Sequence, residues 1–154
     1  MGVSYVKIQA DDGRYWSGDF SVKIAGTQTS TMKLLSSSSE RFEIITDDTG
    51  WYKYIAIEPN SVYLQYTTAA GHTALTQSDI PAPANTNGSP GISSAPPAPS
   101  PLTFRFWKND QVTNQRKVII MTSEGLYLTR AQSGSVSYID GTDTVGPACV
   151  FTIV

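Results

Sequence analysis

A short pattern met three times restricts the fold of this chain more than any other feature. Its first instance is Val6-Lys7-Ile8-Gln9-Ala10, then Asp11-Asp12-Gly13-Arg14, then Tyr15-Trp16. The second is Ile55-Ala56-Ile57, then Glu58-Pro59-Asn60-Ser61, then Val62-Tyr63-Leu64. The third is Val118-Ile119-Ile120-Met121, then Thr122-Ser123-Glu124-Gly125, then Leu126-Tyr127-Leu128. Each joins an apolar strand, a polar turn carrying Gly, Pro or Asn, and a Tyr followed by a large apolar residue, which is how a β-hairpin reads in sequence. Each third also closes on two apolar residues spaced by two, Phe42 with Ile44, Phe104 with Phe106 and Phe151 with Ile153. That spacing puts both members on one face of a strand.

From Tyr15 to Phe42 is 27 positions and from Tyr127 to Phe151 is 24, but from Tyr63 to Phe104 is 41. The excess points to 71–101, which holds seven of the nine prolines and a single charged residue, Asp79. Proline removes the donor that a sheet ladder needs, so Ile80-Pro81-Ala82-Pro83 and the run 95–101 are excluded from central strands. We expect an extended or mobile surface loop with polyproline character over 71–101, an insertion that closure entropy tolerates. Residues 31–45 lack Gly and Pro, yet Met32, Leu34, Phe42 and Ile44 fit period two better than a helical period.

The 154 residues suit one domain. We expect three copies of a four-stranded unit, at about 1–48, 49–110 with the loop 71–101, and 111–154. Many short strands with regular turn signals call for an all-β sandwich or barrel, and threefold repetition selects the β-trefoil among these. The steps Gly13-Arg14-Tyr15-Trp16 and Gly125-Leu126-Tyr127-Leu128 resemble the β-trefoil superfamily, most of all fascin-type trefoils and the small cytosolic lectin-like trefoils of fungal or bacterial kind. The resemblance implies a binding module more than an enzyme. The sequence also departs from known branches. Gln-x-Trp, which the ricin-type lectins carry, does not occur, and the single cysteine, Cys149, excludes the disulfide-braced loops of plant trefoil inhibitors.

Composition removes several classes of function. Charged residues make up 16% of the chain, against roughly 25% in an average soluble protein. Eleven basic and thirteen acidic side chains are scattered singly, so no basic stripe exists to track a nucleic acid. No stretch approaches the length of a membrane span, and residues 1–7 lack the apolar core of a signal peptide. We therefore expect a cytoplasmic protein or one exported by a non-classical route. Cys149, inside an apolar run, is expected to be a buried thiol.

No catalytic constellation emerges. The one histidine, His72, falls at the edge of the proline-rich stretch, where nothing would orient it against a nucleophile. Asp11-Asp12 and Asp47-Asp48 sit in turn-like sequence, and Asp140-Gly141-Thr142-Asp143 lacks the further ligands of a calcium loop. Phosphate-binding glycine loops are absent. We expect no enzyme activity, no metal and no cofactor.

What remains is recognition, with carbohydrate first. Sugar binding asks for an exposed aromatic face and polar groups on a rigid scaffold. In Phe104-Arg105-Phe106-Trp107 alternation buries the phenylalanines and leaves Trp107 outward beside Arg105, followed by Asn109. A second cluster is Trp51, Tyr52 and Tyr54, where Tyr52 and Tyr54 face outward if Ile55 and Ile57 face the core; a register one residue off reverses this. The plainer alternative is that both clusters cover the barrel's ends. A third set lies at related hairpin exits: Asp12, Arg14 and Asp19, then Tyr66, then Arg130 and Gln132. Trp16 aligns with Leu64 and Leu128 and is assigned to the core. The expected partners are glycans or glycoconjugates. A protease inhibitor presenting the loop 71–101 is an alternative, as is a structural or assembly protein, homo-oligomers included, using Ile45, Trp107 and Val154 as an apolar patch.

Overall fold

The computed structural model describes residues 5–23, 30–38, 40–46, 49–58, 62–69, 72–81, 100–108 and 116–154. Every regular element among them is a strand, apart from one 3₁₀ turn at Pro147–Cys149. The strands are β1 Tyr5–Val6, β2 Ile8–Gln9, β3 Tyr15–Trp16, β4 Val22–Lys23, β5 Ser30–Thr31, β6 Lys33–Leu35, β7 Phe42–Thr46, β8 Lys53–Ile57, β9 Val62–Ala69, β10 His72–Pro81, β11 Thr103–Lys108, β12 Lys117–Thr122, β13 Tyr127–Ser133, β14 Val136–Thr142 and β15 Val150–Ile153.

Antiparallel pairing closes a ring. It runs β1–β7–β8–β11–β12–β15 and returns through β2. β1 and β2 are one strand interrupted at Lys7, whose amide and carbonyl pair instead with Val154 at 3.1 and 2.8 Å. Closure removes the unpaired edges that an open sheet would expose. The other strands form the pairs β3–β6, β9–β10 and β13–β14, with β4 and β5 as a separate two-stranded sheet. They meet where Met32 N–H donates to the Leu75 carbonyl at 2.9 Å and Ile139 N–H donates to the Met32 carbonyl at 3.1 Å. The Thr31 hydroxyl donates to the Ile139 carbonyl at 2.8 Å and accepts from Leu75 N–H at 3.1 Å. All the polar groups in this junction are thus paired, which is what makes its burial affordable.

The three expected hairpins are present, pairing Gln9 with Tyr15, Ala56 with Tyr63, and Met121 with Tyr127. Gly13 and Gly125 turn the first and third at φ 87° and 85°, a left-handed step that side chains resist. Trp16, Leu64 and Leu128, aligned by sequence, are all fully buried. Trp16 lies edge-on to Phe42 at 5.8 Å and to Phe151 at 5.5 Å between ring centroids, at the heart of the barrel. Cys149 is buried as expected.

Three expectations need correction. The loop does not begin at residue 71, because His72–Pro81 forms β10 and Leu75 is fully buried. Proline enters only after a register shift between Gln77 and Pro81, on a strand whose one ladder partner among the described residues is β9, so the rule against proline in central strands is kept. Residues 82–99 lie outside those described. Next, Tyr54 is on the outer face of β8, opposite Ile55 and Ile57, but it is covered there and only 1% exposed. Ile45, expected on an apolar surface patch, is also buried. Both belong to a second small core with Ala56, Tyr63 and Leu102, packed on the outer face of β7 and β8. That strand pair is covered on both sides, which alternation in β8 alone could not reveal. In this pocket burial, then Tyr54 and Glu43, push the Tyr63 hydroxyl pKa up.

Candidate functional site

β11 emerges from the protein as it runs. On its outer face Thr103 is buried, its hydroxyl accepting Ser100 N–H at 2.9 Å, Arg105 is half-buried, and Trp107 is 43% exposed. Phe104 and Phe106 take the inner face, as alternation requires. Trp51 lies in the turn between β7 and β8, where its amide donates to the Thr49 hydroxyl at 3.1 Å. Its side chain is 64% exposed. β8 and β11 are neighbours, pairing Tyr54 with Thr103 and Lys53 with Phe104. That places Arg105 between the two indoles, with its Cζ 5.0 Å from the Trp51 ring centroid and 4.5 Å from that of Trp107. One tryptophan from each of the two aromatic clusters separated in sequence is thus brought to the same guanidinium. Cation–π attraction to both rings holds the guanidinium in place, and two large apolar surfaces stay open to solvent.

A second group of polar candidates gathers where the first hairpin meets β13 and β14. Arg130 Nε donates to Asp11 Oδ1 at 2.5 Å and Nη2 donates to Oδ2 at 3.3 Å. Arg130 Nε and Arg14 Nε each lie 3.8 Å from Asp12 Oδ2. Arg14 Nη1 donates to the Ser137 hydroxyl at 2.7 Å, and that hydroxyl is 3.5 Å from Asp12 Oδ2. Gln132 Oε1 accepts from Arg130 at 3.5 Å while its amide nitrogen donates to the Gly134 carbonyl at 3.2 Å. The hydrogen bond that Arg130 donates to Asp11, opposed by burial and aided by the fields of Asp11 and Asp12, raises the Arg130 pKa. Two carboxylates therefore neutralise two guanidinium groups, and the donors and acceptors are spent on one another. A cleft of about 830 Å³ opens beside Asp11, with Lys117, Ile119, Val145 and Val150 among its walls. Among the described residues that line it there is no aromatic ring on which a sugar could stack.

The remaining sequence candidates separate. Asp19 stands apart, its Oδ1 accepting Ser21 N–H at 2.9 Å and its amide donating to the Ser17 hydroxyl at 3.0 Å, so it shapes a bend. Tyr66 is a correction: it is 1% exposed and packs beneath β14, where a Cβ on Gly141 would collide with its hydroxyl. Its place on the strand looked like the hairpin exits of the other thirds, but β10 and β14 close over it. Asn109 lies outside the described residues. Sequence reasoning passed over Asp11 and Ser137, and it noted Arg105 only as a neighbour of Trp107.

No protein-family model and no curated protein matches the chain. Solved structures do match in fold. A salivary protein of Culex from the Cysteine and Tryptophan-Rich family aligns with 99% of this chain and 94% of its own at 12% identity and TM-score 0.67. The BEL β-trefoil covers 99% and 94% at 14% identity and TM-score 0.60. SeviL, whose structure holds the asialo-GM1 saccharide, covers 99% and 98% at 10% identity and TM-score 0.59. The cytokine interleukin-36alpha is matched as well, so the backbone by itself does not select a ligand. At these identities the comparisons speak to architecture: the chain has an all-β, trefoil-like fold built on a closed barrel.

Proposed function

We propose that this protein is a non-catalytic carbohydrate-binding module whose ligand lies against Trp51, Arg105 and Trp107. The observation that carries the reading is two exposed indoles, one on β11 and one in the turn before its neighbour β8, with a single guanidinium within 5.0 Å of both ring centroids. Sugar rings present flat C–H faces that pack on aromatic rings, and a rigid platform binds without first ordering itself. SeviL, which shares the fold, was solved with a saccharide, and this favours the same class of ligand here. We also infer that the three thirds of the chain are diverged repeats, which the pairing order of the barrel and the common burial of Trp16, Leu64 and Leu128 support.

A glycan array with the purified protein tests the reading. Binding to a coherent set of glycans should be lost in Trp51→Ala and Trp107→Ala and kept in Asp19→Ala. A blank array with folded wild-type protein would sink it. A second reading is self-assembly through the same exposed tryptophans, residues enriched where protein interfaces are strongest. It predicts a solution mass above the monomer that falls in Trp107→Ala and ignores added sugar.

A further inference from the structure

We infer that the ligand of the Trp51–Arg105–Trp107 face is an acidic glycan, one that sets a carboxylate or sulfate against Arg105; this rests on the glycan reading and narrows it. A guanidinium has two flat faces and a rim of five in-plane N–H donors. The Arg105 guanidinium lies over two indole rings, its Cζ 5.0 and 4.5 Å from their centroids; such contacts attract its charge and supply no lone pair to its N–H rim, which is therefore what it offers to a partner. Other arginines of the protein have already found an anion. Arg14 lies 3.8 Å from Asp12, Arg41 2.8 Å from Glu58 and Arg130 2.5 Å from Asp11. Arg105 has no carboxylate partner among the described residues.

An oxyanion is the group that fits such a rim, because two parallel charge-assisted hydrogen bonds match its geometry. The flanking indoles limit solvent at the guanidinium, which strengthens those bonds relative to water. They also leave apolar surface for the sugar ring that carries the anion. A neutral glycan would use the indoles and leave the rim solvated. The chain's net charge of −2 supplies no broad attraction for polyanions, so the preference must be local, one anion at one guanidinium.

The test compares matched pairs by calorimetric titration of the wild-type protein: lactose against sialyllactose, lactose against sulfated lactose, and a neutral disaccharide against its glucuronate-bearing counterpart. At least one acidic member should bind tenfold or more tightly than its neutral parent, and the arm that responds identifies the anion as carboxylate or sulfate. Arg105→Gln should bring the acidic ligand down to the affinity of the neutral one, and Arg105→Lys should restore only part of the difference because it lacks the fork. Equal affinity for neutral and acidic partners in the wild type would overturn the inference and leave the glycan reading standing. Absence of binding in every arm and on the array would overturn both. The wild-type comparison needs no variant, so a misfolded substitution cannot obscure it.

Discussion

Arg105 sits on the barrel strand β11 and Arg130 on β13 of the pair β13–β14, and their surroundings differ. Arg130 faces Asp11 and Asp12, and its donors are met within the protein. Arg105 lies near two indoles, which remain partly exposed, and has no carboxylate partner among the described residues. The first arrangement ties the hairpin carrying Asp11 to β13 and β14 across 119 positions of chain. The second ties nothing together that strand pairing has not already joined. The lesson is that polar residues suited to a ligand become a site only when folding leaves them unsatisfied.

The comparison can be broken in several ways. The largest effect is expected from Tyr66→Ala, which removes a buried aromatic side chain and should cost about 3–5 kcal/mol of folding stability. Urea unfolding would measure it, and a loss under about 1 kcal/mol would return Tyr66 from the core to the surface. Next comes Trp51→Ala or Trp107→Ala, each expected to weaken glycan binding tenfold or more, about 1.4 kcal/mol. Their urea midpoints should move less than that of Tyr66→Ala, since Trp51 is 64% and Trp107 43% exposed. A large stability loss with intact binding would reverse the roles assigned to the two regions.

Smaller effects sharpen the contrast. Arg130→Ala should lower stability by about 1 kcal/mol or less, because the pair is partly exposed and screened. Its glycan affinity should match the wild type, and its stability deficit should shrink in high salt. Loss of binding in this variant would move the site to the Asp11 side and into the neighbouring cleft. The smallest effect is the coupling between Arg105 and Trp107 in a double-mutant cycle read by urea unfolding, about 0.5–1 kcal/mol if the stack persists in solution.

Much of the fold was legible because it rests on local patterns. Gly13 and Gly125 mark turns that need positive φ, and Phe42, Phe104 and Phe151 mark strands by spacing. Proline was a less exact guide. It kept 71–101 from reading as sheet, although His72–Gln77 contains no proline and pairs with β9 throughout. Of the candidate site, Trp107 was legible from alternation on β11 and Trp51 from its place in an aromatic turn. Their union was not, because a strand pattern states which way a side chain points and is silent on what stands opposite. Asp11 was dismissed as a turn residue for the same reason: it does shape a turn, and its partner Arg130 is brought to it only by the closed barrel.

The sequence by itself determined the three hairpins, the closing strands marked by Phe42, Phe104 and Phe151, and the core places of Trp16, Leu64 and Leu128, since each follows from spacing within a dozen residues. Tertiary structure decided which faces were covered twice, burying Tyr54, Ile45 and Tyr66, and which charges found each other. Those outcomes depend on contacts between residues far apart in the chain, which exist only once closure of the ring has fixed every strand beside its neighbour.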